Sequence, residues 1–217
     1  AVLPGPDGMF TIVGGKYTTY RRMAQDVVDA AARWLGGEIP ESVTDRTPLL
    51  GAEGWDAWQR QRDRLARRSG LPGARLERLL GRYGTLVQEL IELMAAHPAL
   101  AEPLPGAPDY LRAEIVYAAT HEGALTLEDV LTRRTHISIE TPDRGVDSAE
   151  AAAALVGGAL GWSPARRRQE VAAHRERMAA DRRSELTPDD DRAARAQSPE
   201  STLQELSAGS RSSRNSS

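Results

Sequence analysis

The sequence contains no cysteine among its 217 residues and has few aromatic side chains. The lack of cysteine excludes a disulfide scaffold, a thiolate-bound metal site and a cysteine nucleophile, and it fits a reducing compartment such as the cytoplasm. The longest apolar run, Ala151 to Leu160, has about half the length that a membrane-spanning helix needs. A net charge of −3 argues against a general nucleic-acid binder, so we expect no nucleic-acid partner.

Lysine is almost absent as well. Lys16 is the only lysine among 28 basic residues, and the other 27 are arginine. A GC-rich genome accounts for such a bias without any physical cause. A chain that uses arginine almost everywhere nevertheless has lysine at this position, which marks Lys16 for attention.

The first 36 residues predict a strand, a turn and a helix. The stretch from Pro4 to Gly8 is typical of a turn, Met9 to Val13 predicts a strand, and Thr18 to Leu35 predicts an amphipathic helix. A single strand leaves its backbone groups without partners. We therefore expect the other strands of its sheet to lie outside this sequence, which would make the chain the C-terminal part of a longer protein.

The rest of the chain predicts a bundle of six or seven helices. A loop from His97 to Pro108 should interrupt it, because four prolines disfavour regular structure there. Thr126 and Asp129 have the spacing of a capping box, and Ser163 followed by proline predicts a helix start. The predicted helices span 55–68, 74–80, 85–96 (with a break at 81–84), 110–121, 126–133 and 164–184.

The turn before the first helix has the residues of a ligand-binding site. Gly14 and Gly15 permit positive φ and close approach to a ligand, while Lys16 adds a compact positive charge. Thr18 and Thr19 could cap the helix or donate to a ligand, and the helix N-terminus favours an electron-rich group. The P-loop pattern is incomplete, and a plain strand-to-helix turn with a threonine cap is the alternative.

Two segments carry a family resemblance. The segment from Phe10 to Arg21 resembles the last strand, turn and helix of the flavin domain in bacterial FAD-dependent (aerobic-type) glycerol-3-phosphate dehydrogenases. The segment from Tyr110 to Thr135 is similar to the core of that family's C-terminal helical domain. The resemblance implies a mostly α fold, with a flavin-domain remnant in 1–36, an α-helical cap domain in 37–185 and a disordered serine-rich tail in 186–217.

The resemblance also implies a function. The family oxidises sn-glycerol 3-phosphate to dihydroxyacetone phosphate, reduces FAD and passes the electrons to membrane quinone. The matching positions predict cofactor contacts at Gly14, Gly15, Lys16, Thr18 and Thr19, with Lys16 also on the substrate side of the flavin. The expected location is cytoplasmic, with possible peripheral contact to the cytoplasmic membrane.

The sequence departs from the family by lacking one motif. No G-x-G-x-x-G follows a strand, so the turn that binds the ADP part of FAD is missing. We therefore expect the chain alone to bind FAD weakly and to be inactive. The alternatives are a glycerol-3-phosphate oxidase that uses oxygen, and a non-catalytic helical interaction module.

Several polar residues outside the turn have ordinary structural explanations. His121 and Glu122 could be an acid–base pair, but a polar helix end is favoured. No metal-ligand spacing connects the histidines, so we predict no metal site. Arg133 and Arg134 should form ion pairs. The four tryptophans are interpreted as packing anchors.

The helix from Arg166 to Arg183 is rich in arginine. It could dock on an anionic membrane. A solvated helix with i,i+4 ion pairs is the favoured interpretation, because its charges lie on several faces.

Overall fold

The structure is a computed structural model that describes residues 1–187. Its contacts divide the chain into two units, Ala1–Leu86 and Val87–Ser217. The described part has eight α-helices and two small two-stranded sheets, so the mostly α prediction is confirmed. No helix within residues 1–187 has the length and apolarity needed to cross a bilayer.

The first unit begins with a β-hairpin. Strand β1 (Val2–Pro4) pairs antiparallel with β2 (Phe10–Ile12), and Val2 lies opposite Ile12. The predicted turn forms, because Gly5 N–H donates to the Met9 carbonyl at 2.7 Å and returns the chain. The prediction that the strand has no partner in this chain is therefore wrong, since β1 is too short to stand out from the turn residues around it.

Helix α1 (Tyr20–Leu35) follows a 3₁₀ turn at Tyr17–Thr19 and contacts both strands of the hairpin. It begins two residues later than predicted, because the 3₁₀ turn uses Thr18 and Thr19. No residue of this amphipathic helix is buried. Trp34, predicted to be a packing anchor, lies with its ring against Gly8 but stays 60% exposed.

Helices α2 (Trp55–Ser69) and α3 (Gly73–Tyr83) pack against each other. The buried side chains of the first unit lie on them and are Leu65, Leu76, Leu79, Leu80 and Tyr83. The predicted break at 81–84 is shorter in the structure. Helix α3 continues through Gly81, which has no positive φ, and the chain leaves the helix only at Gly84, where φ is +58°.

A close backbone crossing holds the loop before α2 against the end of α3. Thr85 N–H donates to the Gly51 carbonyl at 2.8 Å. A Cβ at Gly84 would lie 2.1 Å from the Gly51 oxygen, and a Cβ at Gly51 would lie 2.6 Å from the Tyr83 oxygen. Both glycines have positive φ, so side chains are excluded here by backbone conformation and by space.

The second unit begins with helix α4 (Val87–Ala96) and a hairpin of β3 (Pro103–Leu104) and β4 (Ala107–Leu111). The predicted irregular loop at 97–108 is therefore wrong. Pro103 is the first residue of a strand and Gly106 turns at φ +80°, and these are positions that accept proline and glycine. The strand also delays the next helix, so α5 (Arg112–Thr120) starts two residues after the predicted Tyr110.

The remaining elements pack around one apolar core. They are a π-helical turn (Asp129–Arg134), α6 (Ile137–Glu140), α7 (Ala149–Leu160) and α8 (Pro164–Glu185). Helices α6 and α7 were not predicted. Ser163 caps α8 by accepting from Arg166 N–H at 3.2 Å, as predicted. The core includes Tyr110, Ile115, Leu127, Leu131 and Val156, and Trp162 is buried with them, as expected of an anchor.

The predicted domain boundaries stay predictions. The contacts change at Leu86 and Val87, whereas the sequence places the end of a flavin-domain remnant at residue 36. Residues 188–217 of the predicted serine-rich tail lie outside the described residues.

Candidate functional site

The turn between β2 and α1 is open on its outer side. All residues from Gly14 to Thr19 are exposed. Thr19 N–H donates to the Lys16 carbonyl at 3.0 Å, but the N–H groups of Lys16, Tyr17 and Thr18 have no acceptor within residues 1–187. The Lys16 ammonium has no ion-pair partner within the same residues. The turn therefore presents three free backbone donors and one cation to whatever lies beside it.

The two glycines differ in what they leave room for. Neither glycine uses the positive φ that its lack of a side chain permits. A Cβ at Gly14 would lie 2.6 Å from the Met23 methyl carbon, whereas a Cβ at Gly15 would meet no atom within 4 Å. Nothing within the described residues requires glycine at position 15. Without a side chain at Gly15, a ligand can approach the backbone closely, as expected of a ligand-facing turn.

The two threonines also differ. The Thr19 hydroxyl donates to the Lys16 carbonyl at 2.8 Å, and the start of α1 has no side-chain cap. The alternative of a threonine cap is therefore wrong, because the 3₁₀ turn places the Thr19 oxygen beside a carbonyl three residues back. The Thr18 hydroxyl makes no hydrogen bond within the described residues, so it remains available to a ligand.

This donor set fits a group that accepts hydrogen bonds and gains negative charge. Three N–H groups without an internal acceptor, an ammonium and the positive end of a 16-residue helix lie within five consecutive residues, Lys16 to Tyr20. The electron-rich edge of a flavin ring meets this description, and Gly15 leaves room for it. The flavin contacts of Gly14, Gly15, Lys16, Thr18 and Thr19 remain predictions.

The polar side chains of the second motif, in the segment from Tyr110 to Thr135, make contacts within the second unit. Glu114 is fully buried, and its carboxylate accepts from Leu111 N–H at 2.8 Å. The Tyr117 hydroxyl donates to Glu89 at 2.7 Å. Burial, followed by the hydrogen bond to the Glu89 carboxylate, raises the pKa of the Tyr117 phenol. The hydrogen bonds of Glu114 and Tyr117 hold α5 in place within the second unit, so this motif has a structural role.

His121 lies at the C-terminal end of α5. Its ring stacks on Tyr117 with 4.4 Å between centroids, and Nδ1 is 2.7 Å from the Thr120 hydroxyl. The Glu122 carbonyl accepts from Arg134 Nε at 2.9 Å. These contacts favour the polar helix end over the acid–base pair.

The structure brings together one charged cluster that sequence reasoning missed. His174 is 2% exposed, and its Nε2 lies 3.1 Å from the Arg144 carbonyl, so Nε2–H donates. Its Nδ1 lies 3.8 Å from a Glu128 oxygen, and Arg177 Nε lies 3.5 Å from the same oxygen. His174 keeps helical spacing with the buried Val171 and Met178, and this pattern could have placed it on the inner face of α8.

Hydrogen bonds at the start of the π-helical turn stabilise a carboxylate. Asp129 accepts from the Thr126 hydroxyl at 2.8 Å and from Thr126 N–H at 3.0 Å, and it pairs with Arg133 at 2.9 Å. The capping box and the Arg133 ion pair are thus confirmed. Arg134, in contrast, donates to the Glu122 carbonyl instead of pairing with a carboxylate. Burial opposes ionisation, but the hydrogen bonds outweigh it and lower the pKa of Asp129.

The lowered pKa values predict a loss of stability in acid. His174, acting against burial, lowers the pKa of Glu128 from its ordinary 4.5, and the pKa of Asp129 falls below 3.8. Both carboxylates therefore stabilise the fold at pH values above their ordinary pKa values. This contribution disappears as the pH falls through the lower pKa values that the two groups have in the folded state. Urea unfolding followed by circular dichroism should show the free energy of unfolding decreasing below about pH 4. Asp129→Asn should flatten this decrease, whereas the exposed Asp109→Asn should not; equal pH profiles for the two variants would contradict the assignment.

Helix α8 uses more of its arginines than the solvated-helix interpretation assumed. Four of its seven arginines form hydrogen bonds or ion pairs with other elements: Arg166 with the Leu125 carbonyl, Arg175 with Glu150, Arg177 with Glu128, and Arg182 with the Pro142 carbonyl. The expected i,i+4 pair between Arg166 and Glu170 is present at 3.6 Å. The helix is thus held to the second unit by its charged residues as well as by its apolar ones. No group of three or more His, Asp or Glu side chains within residues 1–187 has the arrangement of a metal site.

The mostly α-helical fold agrees with a known family of C-terminal domains. A family model described as the C-terminal domain of alpha-glycerophosphate oxidase matches residues 42–167, more than half of the chain. The chain therefore belongs to this family, and the resemblance inferred from its two motifs is confirmed. The family is FAD-dependent in general.

Several relatives extend the match beyond this domain. A Mycobacterium tuberculosis protein named glycerol-3-phosphate dehydrogenase 2 is 43% identical over 201 residues, which are 92% of this chain and 34% of the relative. Glycerol-3-phosphate dehydrogenase of Mycobacterium leprae is 44% identical over 89% of the chain and 33% of its own length. A mitochondrial glycerol-3-phosphate dehydrogenase of Arabidopsis thaliana is 30% identical over 76% and 28%. The chain spans about a third of the length of these relatives.

Proposed function

We propose that this chain is the C-terminal segment of a flavoprotein that oxidises sn-glycerol 3-phosphate to dihydroxyacetone phosphate with FAD. The observation that carries the proposal is the open turn, where the free N–H groups of Lys16, Tyr17 and Thr18 lie beside the unpaired Lys16 ammonium. The names of the mycobacterial relatives supply the substrate.

The incomplete packing of the first 36 residues supports segment status. Helix α1 is amphipathic over 16 residues but has no buried side chain. The hairpin beside it has only two strands, and a two-stranded sheet is marginally stable alone. The apolar face of α1 is left without full burial within residues 1–187, and a dinucleotide-binding part of the same protein would complete its packing.

The residues of the turn have defined tasks in this reaction. FAD, when bound, supplies the two-electron oxidation of the substrate alcohol. The Lys16 ammonium would stabilise negative charge on a flavin held here, and it could also pair with a substrate oxygen. The N–H groups of Lys16 to Thr18 would be the donors that hold the electron-rich part of the cofactor, while the Thr19 hydroxyl holds the Lys16 carbonyl in place.

For the electron acceptor, we propose quinone, with the enzyme on the cytoplasmic side of the membrane as a peripheral protein. The relatives are named dehydrogenases, which favours this acceptor over oxygen, although the family description names an oxidase. Glycerol-3-phosphate-dependent reduction of a soluble quinone by the complete protein should proceed without hydrogen peroxide. Stoichiometric peroxide would identify an oxidase instead.

The first test concerns the 217-residue chain itself. We expect titration with FAD, followed by flavin fluorescence, to show no stoichiometric binding, because the chain has no G-x-G-x-x-G turn for the ADP part. The matched control is the complete polypeptide, which should bind one FAD per chain. Tight stoichiometric binding to the 217 residues would contradict segment status.

The alternative of a non-catalytic helical module makes a different prediction. In that case the reading frame would begin directly before Ala1, and no upstream part would exist to complete the site. A reading frame that continues upstream into a strand, a G-x-G-x-x-G turn and a helix supports the enzyme.

A further inference from the structure

A buried histidine lies where α8 meets two other segments of the second unit. At one edge of the His174 ring, Nε2 lies 3.1 Å from the Arg144 carbonyl, and a Cβ at Gly145 would lie 3.7 Å from the same nitrogen. At the other edge, Nδ1 faces Glu128, which directly precedes the π-helical turn. The ring therefore joins α8 both to the loop before α7 and to the start of that turn.

The contact at Nε2 decides what Nδ1 can do. A carbonyl oxygen only accepts, so Nε2 keeps its hydrogen, and Nδ1 of the neutral ring is a bare acceptor. The Glu128 oxygen that it faces at 3.8 Å is an acceptor as well. Both atoms are fully buried, and neither has a hydrogen bond within residues 1–187. With the neutral ring, two acceptors thus face each other away from water, which costs free energy.

A second proton on the ring supplies the missing donor. Nδ1–H can then donate to the Glu128 carboxylate, and a charge-assisted bond of about 2.8 Å needs the two side chains to approach by about 1 Å. Arg177 Nε lies 3.5 Å from the same oxygen and opposes a charged ring, but its side chain is 55% exposed, so solvent screens it. Glu128 is only 16% exposed and is screened less.

The other charged side chains of the elements around His174 have partners of their own. Their pairs are Asp129 with Arg133, Arg144 with Glu185, Glu170 with Arg166, and Glu150 with Arg175. Within the described residues, Glu128 and Arg177 are therefore the charges that decide the protonation of this ring.

We propose that His174 and Glu128 form a proton-operated latch, in which protonation of Nδ1 ties α8 to the start of the π-helical turn. In mildly acidic solution the charged ring donates to Glu128, and in alkaline solution the unpaired acceptors weaken the hold on α8. A proton that binds more tightly in the folded chain stabilises the fold at low pH, and this contribution is lost as the pH rises. The latch concerns the second unit alone and does not depend on the proposed catalytic function.

The first measurement is the nitrogen chemical shifts of the histidine rings, by NMR of the ¹⁵N-labelled 217-residue chain from about pH 5 to pH 8.5. His174→Gln identifies the signals of this ring. We expect the neutral ring to carry its hydrogen on Nε2 and the charged ring to carry one on each nitrogen. A neutral ring with its hydrogen on Nδ1 would overturn the proposal, because Nδ1 would then donate without a second proton.

Glu128→Gln tests the partner in the same spectra. A nearby opposite charge favours the charged form of its neighbour by about tenfold or more, so at a fixed pH the ratio of charged to neutral His174 rings should fall at least about tenfold. The matched control is Glu150→Gln, which removes a 69% exposed carboxylate that pairs with Arg175 of the same helix. It should change the ratio less than about twofold. An unchanged ratio in Glu128→Gln, or an equal fall in both variants, would rule the latch out.

Urea unfolding at pH 6 and pH 8, followed by circular dichroism, tests the consequence for stability. The wild type should gain more stability at the lower pH than His174→Gln, since glutamine can donate to the Arg144 carbonyl but takes up no proton. His97→Gln, which removes an exposed histidine without a side-chain partner in the described residues, should behave like the wild type. If His174→Gln does not fold, Glu128→Gln replaces it in this comparison. An equal gain in the latch variant and the wild type would contradict the proposal.

Discussion

Replacing Lys16 with glutamine in the complete flavoprotein should lower kcat/KM for sn-glycerol 3-phosphate by about a hundredfold, because one fixed cation stabilises the charge that develops in the reaction. Lys16 is exposed and unpaired within the described residues, so the substitution removes no internal contact. Lys16→Arg should also lower turnover, since a guanidinium fork has a different shape from a compact ammonium. Steady-state kinetics, with flavin content measured on the same preparations, test both variants.

Two comparisons make the Lys16 experiment specific. Arg33→Gln removes one positive charge from the other end of α1, about 25 Å along the helix axis, and should leave the kinetics unchanged. Bound FAD should remain near one per chain in all variants, which separates loss of chemistry from loss of cofactor. Wild-type kinetics from Lys16→Arg would mean that the single lysine is a coincidence of composition.

Gly84→Ala should have the largest effect on stability, lowering the free energy of unfolding of the first unit by about 2 kcal/mol or more. The new Cβ would lie 2.1 Å from the Gly51 oxygen, a backbone atom that cannot move without breaking the crossing, and φ at this position is +58°. The hydrogen bond from Thr85 N–H to the Gly51 carbonyl would be lost with it. Urea unfolding followed by tryptophan fluorescence measures the change, because Trp55 and Trp58 report on the same unit.

Gly81→Ala is the matched control for this substitution. Gly81 lies three residues earlier, inside α3, and a Cβ there would meet no atom within 4 Å. Alanine in a helix interior is favoured over glycine, so this variant should gain about 0.5–1 kcal/mol. If both variants were destabilised alike, the backbone crossing would not be the cause.

Local signals account for what the sequence predicted correctly. Gly14 and Gly15 end a strand and precede a helix, and Ser163 with Pro164 begins α8, because each pattern acts within a few residues. Proline is a poorer guide. Pro103 was interpreted as a helix and strand breaker, yet a two-residue edge strand accepts it at its first position.

Contacts between distant residues could not be predicted from one sequence. Glu128 and His174 belong to different helical segments and meet only when α8 packs on the π-helical turn. The free donors of Lys16 to Thr18 depend likewise on a 3₁₀ turn that places the Thr19 hydroxyl on a carbonyl. Pattern reasoning finds the residues of the candidate site, and the structure shows which of their polar groups remain unused.

The π-helical turn supplies the acceptor for a buried residue at its end. Thr135 N–H donates to the Val130 carbonyl at 2.9 Å, five residues back, so the turn holds one residue more than an α-helical turn would. The buried Thr135 hydroxyl donates to the same carbonyl at 2.7 Å. His136 follows with φ +60° and turns the chain into α6. A one-residue deletion in this turn would therefore leave both donors of Thr135 buried away from water without their acceptor.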